Sequence, residues 1–215
     1  MVIRNRLLAL GYRAAAFVGL LYGLLTYFQA RGPMWKALCY FGPVSGFMYL
    51  ILLGFEIVFN AIDLRRGMNG VAAGPYMPIG LSLVCYCVEG GVLEIIMGLY
   101  EGNASPSTWT LDVLLIALPL LDWLFFDEKG TVHYYAAFLS LIVPLFYWIF
   151  IFFRAIIWPN DPLFAGSNYP YPFLNPEESF SLWGCFVALA SCLAFSVLMV
   201  FFNNLCSGKF KRKRA

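Results

Sequence analysis

The chain has 215 residues, 61% of them hydrophobic and only 12% charged, with a mean hydropathy of +0.76. That is about half the charged fraction of an ordinary soluble domain, which excludes a soluble enzyme and a nucleic-acid-binding protein and predicts an integral membrane protein. The net charge of +2 is unevenly spread, because five of the fourteen basic residues lie between Lys209 and Arg214.

Apolar runs of spanning length occur at about 14 to 30, 37 to 61, 78 to 100, 108 to 126, 132 to 158 and 180 to 206. They predict an all-α, six-transmembrane-helix bundle formed by one domain over residues 1 to 215. No small-residue cleavage pattern follows the first run, so it is expected to be a retained helix. Arg4, Arg6 and Arg13, then Arg65 and Arg66, then Lys129 and the tail all fall on one side, which the positive-inside rule makes cytoplasmic. Both termini are expected there. In the first helix Ala15, Gly19 and Gly23 form a stripe of small residues suited to close packing. In the second, Gly42, Pro43 and Gly46 predict a kink or a local unwinding. Residues 66 to 78, rich in Gly and Pro, read as a loop. Asn103-Ala104-Ser105 has the form of a glycosylation acceptor, but Pro106 and the short loop argue against its use. The six cysteines sit in or beside apolar runs and are expected to be unpaired fillers. They form no metal-binding pattern, and neither a metal nor a cofactor is expected.

Five acids interrupt the apolar runs: Glu56, Glu89, Glu94, Asp112 and Asp122. An ionised carboxylate at the centre of a spanning helix costs roughly 2.5 to 3.5 kcal/mol even on lenient scales, so each needs a partner or a task. Asp112 and Arg154 are expected at similar depth, either paired in a polar network or each reaching the outer interface. Asp122 lies about 15 Å further along its helix and roughly 80° around it, in the inner half. Its alternatives are a polar network and an interfacial cap. Glu89 and Glu94 are the deepest acids, some 140° apart on one helix, so one of them should face the bundle interior. They read as structural hydrogen-bonding groups, with a proton or small-solute pathway as the alternative. The single histidine, His133, sits at the inner end of the fifth helix, away from the outer third of the second.

Several short strings occur in a telling order. Asp122-Trp123-Leu124-Phe125 is followed by Gly130, then Pro144-Leu145 with Tyr147 and Arg154, then YPYPFL from Tyr169 to Leu174, with Tyr40-Phe41 and Ser45 earlier in the chain. Over roughly residues 35 to 200 the pattern resembles the androgen-induced membrane protein family and its bacterial six-helix relatives. Characterised animal members are intramembrane hydrolases of fatty acid esters of hydroxy fatty acids, with a Thr nucleophile and a His. The positions matching that Thr and His are Gly42 and Asp112 here. The resemblance therefore implies a lipid-accessible bundle whose loop residues Tyr169, Tyr171 and Phe173 shape the outer end, and a degenerate site at Gly42, Ser45 and Asp112. The expected function is a lipid-binding or structural membrane component, with membrane lipids and other membrane-protein subunits as partners and no nucleic acid. The alternative is a surviving hydrolase in which Asp112 acts as a base for Ser45.

The tail Lys211-Arg212-Lys213-Arg214-Ala215 resembles a dilysine retrieval signal, which would imply the endoplasmic reticulum membrane. It also reads as a plain polybasic anchor, and the mitochondrial inner membrane is the alternative address.

Overall fold

Local sequence signals set the helix ends. In a computed structural model, which describes residues 3 to 207 except 4, 33, 69–73, 75–76, 101–105, 131 and 160–166, helix α1 spans Arg6–Arg31. The Asn5 side chain caps it, accepting from Leu8 N at 3.1 Å. Gly32 closes it at φ 96°, with its N–H on Phe28 O, a conformation natural to glycine. The short α2 (Met34–Ala37) follows, then α3 (Phe41–Arg65), α4 (Met77–Tyr100), α5 (Pro106–Phe125), a 3₁₀ segment (Tyr134–Leu141) running into α6 (Ile142–Ile157), a 3₁₀ turn (Pro172–Leu174), and α7 (Ser181–Cys206). Among the described residues the chain is all-helical. Five stretches, α1, α3, α4, α7 and the 3₁₀ segment joined to α6, are long and apolar enough to cross a membrane. The glycosylation acceptor at Asn103 and the basic tail after Ser207 lie outside the described residues.

The long helices alternate in direction. Arg6 pairs with Asp63 at 2.8 Å, Ile3 N donates to Phe125 O at 2.8 Å, and Asn204 Nδ2 donates to Val132 O at 2.8 Å. These contacts place the ends of α3 and α5 beside the start of α1, and the end of α7 beside the entry to the 3₁₀ segment of α6. We call this the Arg6 end, and the opposite end the Arg31 end. The helices are apolar on nearly every face. Large side chains such as Val18, Phe55, Ile96, Phe146 and Leu182 point outward, while Arg13, Ser45, Glu56, Asn60, Glu94, Asp112 and Asp122 are buried. This inverted pattern suits helices solvated by lipid.

Three expectations are corrected. Helix α1 starts well before residue 14, so Arg13 lies two turns inside it and is fully buried. Its buried face runs through Ala9, Arg13, Ala16, Leu20, Gly23 and Leu24; of the predicted small-residue stripe only Gly23 packs closely, with an added Cβ 3.1 Å from Leu114, while Gly19 has open space. The interruption of the second apolar run falls at residues 38 to 40, ahead of Gly42. Pro43 sits in the first turn of α3, where its missing N–H is harmless; the carbonyl it leaves unserved, Cys39 O, accepts from Tyr147 OH at 2.7 Å. Pro144 has the same effect at the start of α6. It offers no N–H to Ser140 O, which accepts from the Cys192 thiol at 3.1 Å, while Tyr86 OH serves Leu139 O at 2.5 Å. All six cysteines are free.

Candidate functional site

The buried acids fall into two centres, one near each end of the bundle, and an apolar cleft adjoins the first. Toward the Arg31 end, Glu94 of α4 is 4% exposed. Tyr27 OH of α1 donates to its Oε2 at 3.1 Å, and Tyr171 OH, from the YPYPFL loop, donates to Oε1. Tyr171 OH in turn accepts from Phe41 N at 2.8 Å, and the Gly42 backbone also bonds Glu94. Both amides belong to the first turn of α3, so the carboxyl faces orphan N–H groups and the positive end of a helix dipole. Arg31 is an electrostatic neighbour of Glu94, its guanidinium lying 5.0 Å from the Tyr40 ring centre.

The degenerate site gathers around this carboxyl. A Cβ added to Gly42 would lie 2.6 Å from Glu94 Cγ and 3.4 Å from Gly90 O; Glu94 fills the space into which a side chain at position 42 would project. Ser45 Oγ donates to Gly42 O at 2.8 Å, wedged against α4 where an added Cβ on Gly90 would come within 2.5 Å of it. Asp112 is 1% exposed. Its electrostatic neighbours are Glu94 and Arg31, and its Oδ1 has no hydrogen-bond partner. No hydrogen bond joins Asp112 to Ser45, and no ion pair joins it to Arg154, whose Nη1 donates to Asn168 O at 2.9 Å. Of the two expected readings, a pair with Arg154 or separate reach to the interface, the described residues show no such pair, and Asp112 lies beside Glu94. Arg154 instead holds the start of the YPYPFL loop. In that loop Tyr171 is fully buried and stacks on Phe173 at 5.4 Å, whereas Tyr169 packs edge-on against Phe152 of α6.

Toward the Arg6 end, Asp122 is 4% exposed and is handled differently. Arg13 Nε lies 3.1 Å from Asp122 Oδ1 and 3.1 Å from Glu56 Oε2, and Nη2 lies 3.0 Å from Asp127 Oδ1. Tyr49 OH donates to Asp122 Oδ2 at 3.4 Å. Oxygens of Glu56, Asp122 and Asp127 all lie within 4.8 Å of one another, a spacing that a metal ion could bridge, but the guanidinium of Arg13 already faces all three. Of its two expected roles, polar network and interfacial cap, Asp122 takes the first, as a buried ion-pair group.

The cleft has a volume of about 660 Å³ and is bounded by α4, α6, α7 and the YPYPFL loop. Phe41, Tyr147 and Tyr171 line it, and Tyr171 is also the residue that donates to Glu94. Its other walls are apolar apart from Glu89 and the small polar side chains Ser191 and Cys192. No family model, no curated protein and no solved structure matches the chain.

Of the predicted residues, Gly42, Ser45, Glu94, Asp112 and Tyr171 come together, while Glu89, Asp122, Arg154 and Tyr169 each lie elsewhere. Sequence reasoning missed Arg13, Tyr27, Tyr49 and Asp127 as members of the polar centres. One signal was available on α3, where Ser45, Tyr49, Glu56 and Asn60 recur at helical spacing and share one buried face. His133 is exposed and stacks on Tyr135.

Proposed function

We propose that the protein is a non-catalytic membrane component that binds lipid, built on the scaffold of the intramembrane lipid-ester hydrolases it resembles. The observation that carries this reading is the 660 Å³ apolar cleft, within the usual size range of small-molecule sites, one wall of which is Tyr171, the donor to Glu94. An acyl chain fits such walls. Esterolysis needs an activated nucleophile beside an oriented base. Here position 42 has no side chain, the Ser45 hydroxyl is committed to a backbone carbonyl, and Asp112 makes no bond to it. The sixth spanning segment in this reading is α5, both termini are cytoplasmic, and the address is the endoplasmic reticulum membrane.

The test is labelling with a photoactivatable diazirine fatty acid or phospholipid in nanodiscs, followed by peptide mapping. Crosslinks should concentrate on α4, α6 and α7 around the cleft and fall to background in an Ala188→Phe variant that fills it. Labelling spread evenly over the outer faces, unchanged by that substitution, would remove the binding reading. Turnover of a lipid ester by the purified protein, lost on Asp112→Asn, would remove the non-catalytic one.

A further inference from the structure

The deep end of the cleft contains a group that neither lipid packing nor the polar centres explain. Glu89 projects from the middle of α4 into the cleft wall. Its Oε1 is buried without a hydrogen-bond partner. Of the polar side chains in the cleft wall, Cys192 bonds the Glu89 carboxyl as well as Ser140 O at 3.1 Å, while Ser191 donates to Ala188 O at 2.8 Å, so Oε1 stays without a donor. Among the described residues no lysine, arginine or histidine lines the cleft, and none is an electrostatic neighbour of Glu89. Glu94, about 8 Å along the same helix, is by contrast fully served by Tyr27, Tyr171 and the α3 amides.

The remaining walls mix aliphatic side chains with rings, among them Phe41, Trp148, Phe173, Phe180, Trp183 and Phe195. Rings attract cations through their quadrupoles, most strongly where water is excluded. One acid oxygen without a donor, in a cleft with no basic side chain among the described residues and with aromatic rings in its walls, is complementary to a positive charge on an apolar body. An anionic headgroup finds no cation there. We propose that the cleft takes a lipophilic organic cation, such as a long-chain ammonium, with its charged end against Glu89 and its chain running about 12 Å along α4 toward Met97. The proposal rests on reading the cleft as a ligand site and adds the charge of the occupant.

The experiment compares 12-bromododecylamine, 12-bromododecanol and 12-bromododecanoate as quenchers of Trp148 and Trp183 in zwitterionic nanodiscs, with concentrations expressed as mole fraction in the bilayer. The expected result is saturable quenching in which the amine acts at a mole fraction roughly tenfold or more below the alcohol, with the two equal in Glu89→Gln. Equal amine and alcohol midpoints in the wild-type protein would overturn the charge assignment and leave the cleft reading intact, as would preference for the carboxylate. Quenching that never saturates with any of the three would overturn both. The wild-type ratio decides the matter even if the variant fails to fold.

Discussion

Glu94 and Asp122 are equally buried, each 4% exposed, yet the chain holds them in different ways. Glu94 is surrounded by dipoles: two tyrosine hydroxyls and the amides of the first turn of α3. Asp122 is surrounded by charges, sharing Arg13 with Glu56 and Asp127. A dipolar shell is assembled from neutral groups, so losing one member costs only the bonds that member makes and leaves no charge facing another. An ionic shell depends on one guanidinium, and its loss leaves three acids facing one another. The Arg6 end should therefore be brittle and the Arg31 end graded.

The largest effect should come from Arg13→Met. Removing one partner of a buried ion pair typically costs about 3 to 5 kcal/mol, and here three acids lose the cation between them. Unfolding in mixed micelles should show a loss of that size, recovered in part when Glu56→Gln and Asp122→Asn are added. A change below about 1 kcal/mol would mean that the cluster behaves like a surface ion pair. Next comes Tyr171→Phe, which deletes the donor to Glu94 and the acceptor of Phe41 N together, for about 2 to 4 kcal/mol. Tyr27→Phe deletes one bond and should cost markedly less. Equal losses for the two tyrosines would contradict the graded shell.

Gly42→Thr restores a side chain at the position where the resemblance places a nucleophile. The added Cβ meets Glu94 Cγ at 2.6 Å, and overpacking of this kind costs about 1 to 3 kcal/mol. In a Glu94→Ala background the same substitution should cost little, because the two side chains compete for one space. Full additivity in this double-mutant cycle would mean that position 42 and Glu94 do not compete.

That the chain is all-helical with several long apolar helices followed from its apolar runs, since any run of about 20 apolar residues must satisfy its backbone internally once in lipid; among the described residues five stretches qualify as spans where six were expected. Partnership was harder to read. Arg13 precedes Ala14-Ala15-Ala16 and looks like a flanking positive charge, because a helix start is marked by its cap, Asn5, and not by the first apolar residue. Asp112 and Arg154 lie at comparable depth on antiparallel elements, but depth says nothing about which faces meet. Asp112 turns toward α4 because α4 and α5 approach closely at Gly91, whose added Cβ would lie 2.6 Å from Asp112 O. The carboxyl that closes position 42 comes from Glu94, 52 residues away in sequence, and no local spacing announces such a contact.

The smallest predicted effect separates the ionic centre from its border. Lys129, outside the helices, lies 3.8 Å from the Trp123 ring centre and donates to Trp123 O. Burial pushes its ammonium down from the ordinary 10.5 to about 8, against the opposing pull of Asp127. Between those values the unfolded chain holds a proton that the folded protein has released, so stability rises as pH increases through that window. Tyrosines and cysteines titrate in the same range, so the useful quantity is the difference between wild type and Lys129→Met. That difference in unfolding midpoint should be flat below pH 8 and move in favour of the wild type from about pH 8 to 10.5. A difference that moves the other way would mean that Asp127 and the Trp123 ring hold Lys129 charged, which would enrol it as a second cation of the Arg13 cluster.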